Sequence, residues 1–255
     1  MEWSPLFPIS GFLVGILIGL TGIGGGALMT PFLILVLGTR PVVAVGTDLA
    51  YNAVTKLVGA FIHWRQGTVD VNLVKRLALG SVPAGIAGVA ALSALTRAGA
   101  DSDEAVKRAL GAALILVAAI LLSRVVGLQL PEMPQRWRAA LQGRGTVIVG
   151  AVVGALVGFT SVGSGSLLVP FLMTVFPLTA AQVVGTDVFH AAILVSVTAL
   201  GHAHEGSVDW GIAAGLLAGS IPGVALGSWM APRTPARALR VGLAGLLLVT
   251  GISLV

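Results

Sequence analysis

The sequence contains no cysteine. That absence excludes disulfides, Cys-ligated zinc, iron–sulfur clusters and thiol nucleophiles. Charge is nearly as scarce: Asp, Glu, Lys and Arg make up 10% of the 255 residues, against roughly 25% in a soluble globular domain. The polar surface needed to coat a water-soluble body of this size is missing. A soluble enzyme, a DNA-binding module and a disordered tail are excluded together. Charge is also absent in long blocks: the 37 residues from Trp3 to Thr39 and the 42 from Gly145 to Thr186 carry none. The opening Met1-Glu2-Trp3-Ser4-Pro5 lacks a basic n-region, so the first apolar segment is expected to be retained rather than cleaved as a signal peptide.

What is present is apolar. Hydrophobic residues reach 56% and the mean hydropathy is +1.00, which places the chain in the lipid bilayer as an all-α polytopic membrane protein. A bilayer core of ~30 Å takes about 20 apolar helical residues per span. The net charge of +5 does not signal a nucleic-acid partner. It comes from Arg and Lys at the ends of apolar segments, where membrane topology places them. Trp3, Trp64, Trp210 and Trp229 also sit at segment ends, the depth at which amphipathic rings collect.

The chain is one unit written twice. Gly19–Gly88 aligns with Gly158–Gly227 without a gap, with 25 of 70 pairs identical. Shared apolar composition would match Leu and Val, but here the register also matches Pro31/Pro170, Gly46-Thr47-Asp48/Gly185-Thr186-Asp187, His63/His202, Asp70/Asp209 and Pro83/Pro222. Residues 1–127 and 145–255 are therefore two membrane repeats, with 128–144 a polar linker. Each repeat has four apolar segments, over 8–38, 41–63, 73–95 and 105–127, then 145–177, 179–202, 210–231 and 236–255.

The first segment of each repeat is too long. Residues 8–38 would form a helix of ~45 Å at 1.5 Å per residue. Both are interrupted midway, at Thr21-Gly22-Ile23-Gly24-Gly25-Gly26 and Thr160-Ser161-Val162-Gly163-Ser164-Gly165. Each glycine costs a helix about 1 kcal/mol against alanine. A broken segment can cross once or dip in and return. A single crossing leaves seven basic loop residues on each side. A re-entrant hairpin gives ten against four, with Arg40, Arg97, Lys107 and Arg108 as the four. The positive-inside rule prefers the second count. Each half then has three true spans and the halves insert upside down, an inverted repeat.

Unwound backbone at bilayer depth must be buried or line a cavity. After each break a half-helix is expected to begin, near Ala27 and Ser166, with its positive end exposed, and such ends attract anions. The candidate substrate-binding set at the breaks is Thr21, Gly22, Gly24, Gly25, Gly26, Thr160, Ser161, Gly163, Ser164 and Gly165. Close helix packing through small residues is the plainer alternative. The second segment carries the ionisable residues: Asp48, Tyr51, Asn52, Thr55, Lys56, Gly59 and His63 form one polar stripe at helical spacing. Its counterpart is thinner, with Asp187, His190, Thr198 and His202, and Val195 in place of Lys56. A charge at the helix centre costs ~2.5–3.5 kcal/mol, so Asp48, Lys56 and Asp187 are expected to line a path or to be paired. Thr47, Asn52, Lys56 and Thr186 join the substrate-binding set, with Lys56 holding an anion. Asp48, Tyr51, Asp187 and His190 are the proton-coupling or stripe residues. Asp48 and Asp187 read equally well as helix caps. His63 and His202 read as parts of turns leading into capped helices rather than as metal ligands, and Pro83 and Pro222 as kinks or hinges.

The Gly-Ile-Gly-Gly-Gly break followed by Leu28 and Pro31-Phe32-Leu33, the Ala-Val-Gly-Thr-Asp-Leu run at 44–49 and the His63–Asp70 turn resemble the sulfite exporter TauE/SafE family of membrane permeases, over nearly the whole chain. The resemblance implies transport of sulfite, sulfonates or related organosulfur acids across the bacterial cytoplasmic membrane. The family often has Ser where Asp48 and Asp187 stand, which leaves open proton coupling or a different substrate. The expectation is a secondary transporter, an exporter of a small anion by alternating access, with no cofactor, no bound metal, no enzymatic activity and a homo-oligomer as its possible assembly. The rival reading is a cation or metal transporter using the intramembrane Asp and His residues.

Overall fold

The computed structural model describes residues 5–21, 25–125, 134–230 and 236–255, and every regular element among them is a helix. The first half supplies α1 (Leu6–Thr21), α2 (Gly26–Leu35), α3 (Pro41–Arg65), α4 (Val71–Arg97) and α5 (Ser102–Val125). A short α6 (Gln135–Ala140) runs through a π-helical turn, Leu141–Gly145, into α7 (Thr146–Thr160). Helix thus reaches back into the stretch read from sequence as a polar linker. α8 (Leu168–Val175), α9 (Ala180–His204), α10 (Trp210–Met230) and α11 (Ala236–Leu254) complete the second half. Val71–Arg97, Ser102–Ser123, Gln135–Thr160, Ala180–His204 and Trp210–Met230 are long and apolar enough to cross a membrane. At 25 residues α3 equals α9 in length, but the polar stripe dilutes its hydropathy.

Both overlong segments are broken where their glycines lie. α2 begins at Gly26, one residue before the expected Ala27, and α8 at Leu168, two after the expected Ser166. The delay has a backbone cause. Ser161, Gly163 and Gly165 have φ of 64°, 135° and 82°, outside the right-handed helical region. The chain cannot resume an α-helix until that run ends.

The turns after α3 and α9 are built alike. Gly67 and Gly206 take φ of 68° and 70°, and Asp70 and Asp209 cap the next helix by accepting from the Leu73 and Ile212 amides, each at 3.0 Å. The capping alternative for Asp48 and Asp187 fails. α3 starts at Pro41 after Arg40, and α9 starts behind Thr179, which forms a capping box with Gln182. Both aspartates lie about two turns inside their helices. Pro83 and Pro222 lie within continuous α4 and α10.

The main helix pairs join the two halves. α1 lies along α10 in the same direction: Gly11, Gly15 and Gly19 press on the backbone at Leu216, Ser220 and Val224, and Gly219, Gly223 and Gly227 on Pro8, Phe12 and Ile16. α4 and α7 repeat the arrangement, with Gly150, Gly154 and Gly158 on Leu77, Ser81 and Gly85. Glycines four apart let helix backbones touch, the small-residue packing of membrane helices. Equivalent helices that meet run antiparallel. Gly46 of α3 abuts the Ser207 carbonyl beyond α9, and Gly185 of α9 abuts Thr68 beyond α3; Gly111 of α5 meets Leu254 and Gly251 of α11 meets Ile115. α10 reverses α9, so α10, and α1 beside it, run with α3. α2 returns antiparallel to α3, with Gly25 at Asn52 and Thr30 at Asp48. α1 and α2 are therefore the two arms of a hairpin.

Candidate functional site

A cavity of about 570 Å³ lies between α1, α3 and α10. Tyr51, Asn52, Thr55, Lys56, Gly59 and His63 line it, which is the α3 stripe apart from Asp48. Gly25, at the start of the returning arm, and Ser220 and Ser228 of α10 complete its polar lining. Among the described residues Lys56 forms no ion pair, though its field reaches Asp187 and His190.

Asp48 sits behind this wall, fully buried. One carboxylate oxygen accepts from the Thr30 and Ser161 hydroxyls, both at 2.6 Å, and the other from the Asn52 amide at 2.7 Å. The carboxylate therefore ties together α2, α3 and the break of the opposite half. Gly26 lies against the Ser161 carbonyl at the same place, where a Cβ would collide with it, so the two breaks meet there. Asp187 has a sparser setting: its Oδ1 accepts from the Gly165 amide at 3.1 Å. At the next stripe position the halves use equivalent elements: Tyr51 lines the cavity together with Ser220 of α10, and His190 Nε2 pairs with Ser81 of α4 at 2.7 Å.

The remaining candidates lie away from the cavity. The Thr47 hydroxyl accepts from the Asp209 amide at 2.9 Å and Thr186 from the Asp70 amide at 3.0 Å, so each holds the turn of the other half. Thr160 donates to the Leu156 carbonyl at 2.7 Å. Gly163 is buried and Ser164 half-buried in the second break. The side chain of Thr21, and all of Gly22 and Gly24, lie outside the described residues. His63 contacts Thr68 and His202 the Gly158 carbonyl, each at 2.9 Å, at opposite ends of antiparallel helices. Among the described residues no three His, Asp or Glu side chains are grouped to hold a metal.

Sequence reasoning passed over Thr30, Ser220 and Ser228. Thr30 is the one hydroxyl between Ala27 and Gly38, and Ser220 repeats Ser81 in register. Those two signals were available; nothing local marks Ser228.

The repeat is symmetric but its packing is not. The α9–α4 seam, equivalent to the α3–α10 seam that holds the cavity, is filled: Leu194 and Thr198 press on Gly85, and Gly201 on Val89. At the outer end of this closed seam lies a smaller cavity of about 230 Å³ lined by Arg40, Arg97, His202 and Glu205. Arg97 contacts both Glu205 oxygens at 3.0 Å and Ser93 donates to the same carboxylate at 2.6 Å. Arg40 pairs with Asp103 at 3.1 Å. The Ser93 hydroxyl and the Arg97 guanidinium hold the Glu205 carboxyl below the usual glutamate range.

Membrane-length helices packed through glycine around a cavity with a polar stripe on an otherwise apolar wall define a multi-pass membrane protein. The chain belongs to the sulfite exporter TauE/SafE family, which it matches over residues 7–254. It is 44% identical to the "Probable membrane transporter protein YjnA" of Bacillus subtilis (strain 168), over 97% of this chain and 98% of that one. A "Probable membrane transporter protein" of Xylella fastidiosa (strain 9a5c) is 30% identical over 88% and 83% of the two chains. "Probable membrane transporter protein YdhB" of Bacillus subtilis is 27% identical over 85% and 86%. No solved structure matches the chain. The protein is a membrane transporter, not an enzyme.

Proposed function

We propose that the protein is a secondary transporter that exports a small organic or sulfur-containing anion across the bacterial cytoplasmic membrane by alternating access. The observation that carries this reading is the cavity beside α3, whose lining among the described residues holds the Lys56 cation and no carboxylate. Asn52, Thr55 and the start of the α2 arm at Gly25 supply neutral polar groups around it. Asp48 organises the site from behind, and Asp187, near Lys56, is the residue to exchange a coupling proton.

The inverted, re-entrant topology is part of the same proposal. Antiparallel α3 and α9, antiparallel α5 and α11, and the α1–α2 hairpin support it. So does the grouping of charge: Arg76 and Arg138 donate to the Gln142 and Thr174 carbonyls near one end of the helices, whereas Arg40 and Arg97 gather at the other. The positive-inside rule makes the first end cytoplasmic. The cavity reaches His63 and Ser228 toward that end, which supports reading it as the loading site of a cytoplasm-facing state, with the opposite state opening the α9–α4 seam and closing α3–α10.

Flux in proteoliposomes tests the reading. Efflux of sulfite or methanesulfonate should fall by tenfold or more in Lys56→Ala and by less in Lys56→Arg. Unchanged efflux in Lys56→Ala rejects the anion site. Movement of a divalent cation that depends on Asp48 and Asp187 would instead establish the cation reading.

A further inference from the structure

The lining of the α3 cavity is divided by chemistry. Polar groups follow α3 and the serines of α10, and the rest of the wall is Ile18, Val54, Val58, Leu217, Ile221 and Val224. Val54 and Ile221 stand at the rim of the cavity, 48% and 66% exposed, where lipid borders a membrane-spanning chain. A volume of about 570 Å³ falls in the ~300–1,000 Å³ range of pockets that hold organic ligands. It far exceeds what an oxyanion of four or five heavy atoms fills.

The charge count points the same way. Among the described residues the lining holds one cation, Lys56, and no acid. A doubly charged oxyanion would be left with an unbalanced charge in a low-dielectric site, where uncompensated charge is expensive. A single anionic head is balanced, and the valine, leucine and isoleucine wall suits an apolar body, as in ligand pockets lined mainly by apolar side chains with a few placed polar groups.

We infer that this site selects an amphiphilic monoanion, a single sulfonate or carboxylate head on an apolar body of several carbons, over a bare inorganic oxyanion. The inference rests on the anion-site reading above. Lys56 receives the head beside Asn52 and Thr55, and the body lies along Val54, Val58, Ile221 and Val224.

Ligand-dependent thermal stabilisation of the full chain in detergent tests this, because a ligand that binds the native state raises its stability with its concentration relative to Kd. The probes are sulfite, methanesulfonate, hexanesulfonate, hexanoate and hexylammonium, each measured on the native chain, Lys56→Ala and Ile221→Ser. Lys56→Ala also reports non-specific effects of amphiphiles on the micelle. Hexanesulfonate and hexanoate should bind at least tenfold tighter than methanesulfonate, since each buried methylene contributes ~0.8 kcal/mol. That advantage should shrink severalfold in Ile221→Ser and binding should vanish in Lys56→Ala, with hexylammonium inert throughout. Equal affinity for methanesulfonate or sulfite and hexanesulfonate, still dependent on Lys56, overturns the apolar-body selection and leaves the anion site standing. Hexylammonium binding as tightly as hexanesulfonate overturns the head-group assignment. Insensitivity of every probe to Lys56→Ala overturns the anion site itself.

Discussion

Asp48 and Asp187 occupy the same position in the two repeats, yet their surroundings separate them. Asp48 accepts from two hydroxyls and one amide drawn from three places in the chain. Asp187 has the Gly165 amide and the neighbouring field of Lys56. Removing the Asp48 carboxylate strands the Thr30, Ser161 and Asn52 donors, and each buried unsatisfied group costs about 1–3 kcal/mol. Asp48→Ala is therefore expected to lower thermal stability in detergent by about 3 kcal/mol or more. Asp48→Asn, which keeps the shape and can still bond through rotated hydroxyls, should lose much less. Equal melting of the two variants would remove Asp48 from its joining role. The stripe itself was legible in the sequence, because spacing alone puts Tyr51, Asn52, Thr55, Lys56 and His63 on one helix face. The roles of Thr47 and Thr186 were not, since the amides they accept from, Asp209 and Asp70, lie more than a hundred residues away.

Among the elements, the contrast between the α3–α10 and α9–α4 seams carries the transport reading. The closed seam has a device: Arg97, Ser93 and Glu205 join α4 to the end of α9, and the first repeat has Gln66 where Glu205 stands. An exposed ion pair adds little to global stability, so its effect belongs in the balance between open and closed seams. Thr198 is fully buried in this seam, and the chain has no native cysteine to confuse labelling. In Thr198→Cys, maleimide labelling should be slow, and adding Arg97→Ala should speed it severalfold. The pH dependence has a definite sign. Glu205 titrates below the ordinary glutamate range in the folded protein, so the latch is fully present above that range and is lost as pH falls through the lower folded value. Relative to a fully exposed single cysteine at the same pH, which corrects for the falling thiolate fraction, labelling of Thr198→Cys should accelerate over that acid range and become pH-independent when Glu205 is also replaced by Gln. Labelling that ignores Arg97 and pH would show that the seam is closed by packing alone.

At the scale of the molecule, the proposed opposed insertion of the two halves is the reading most open to direct measurement. Gln66 and His204 are exposed residues just past, and at the end of, the equivalent helices α3 and α9. Single-cysteine variants Gln66→Cys and His204→Cys should react with a membrane-impermeant maleimide from opposite sides of intact cells and inverted vesicles, Gln66→Cys from the cytoplasmic side. Reaction from the same side would exclude an inverted repeat.

The sequence by itself determined the membrane class, through the scarcity of charge, and the duplication, through Gly, Asp, His and Pro in register. It also located the two breaks, because glycine runs destabilise helix locally, and the polar stripe, because 3.6-residue periodicity is a local property. Tertiary structure decided which half each helix packs against, since complementary glycine grooves such as Gly154 on Ser81 depend on surfaces that sequence spacing does not rank. It also decided that Ser161 of one half completes the Asp48 site of the other. Finally, it decided which of the two repeated seams is open. The sequence already differs there, with Leu194, Val195 and Thr198 where the first half has Thr55, Lys56 and Gly59, but only packing shows Leu194 and Thr198 filling one seam against Gly85 and a cavity left beside Lys56 in the other.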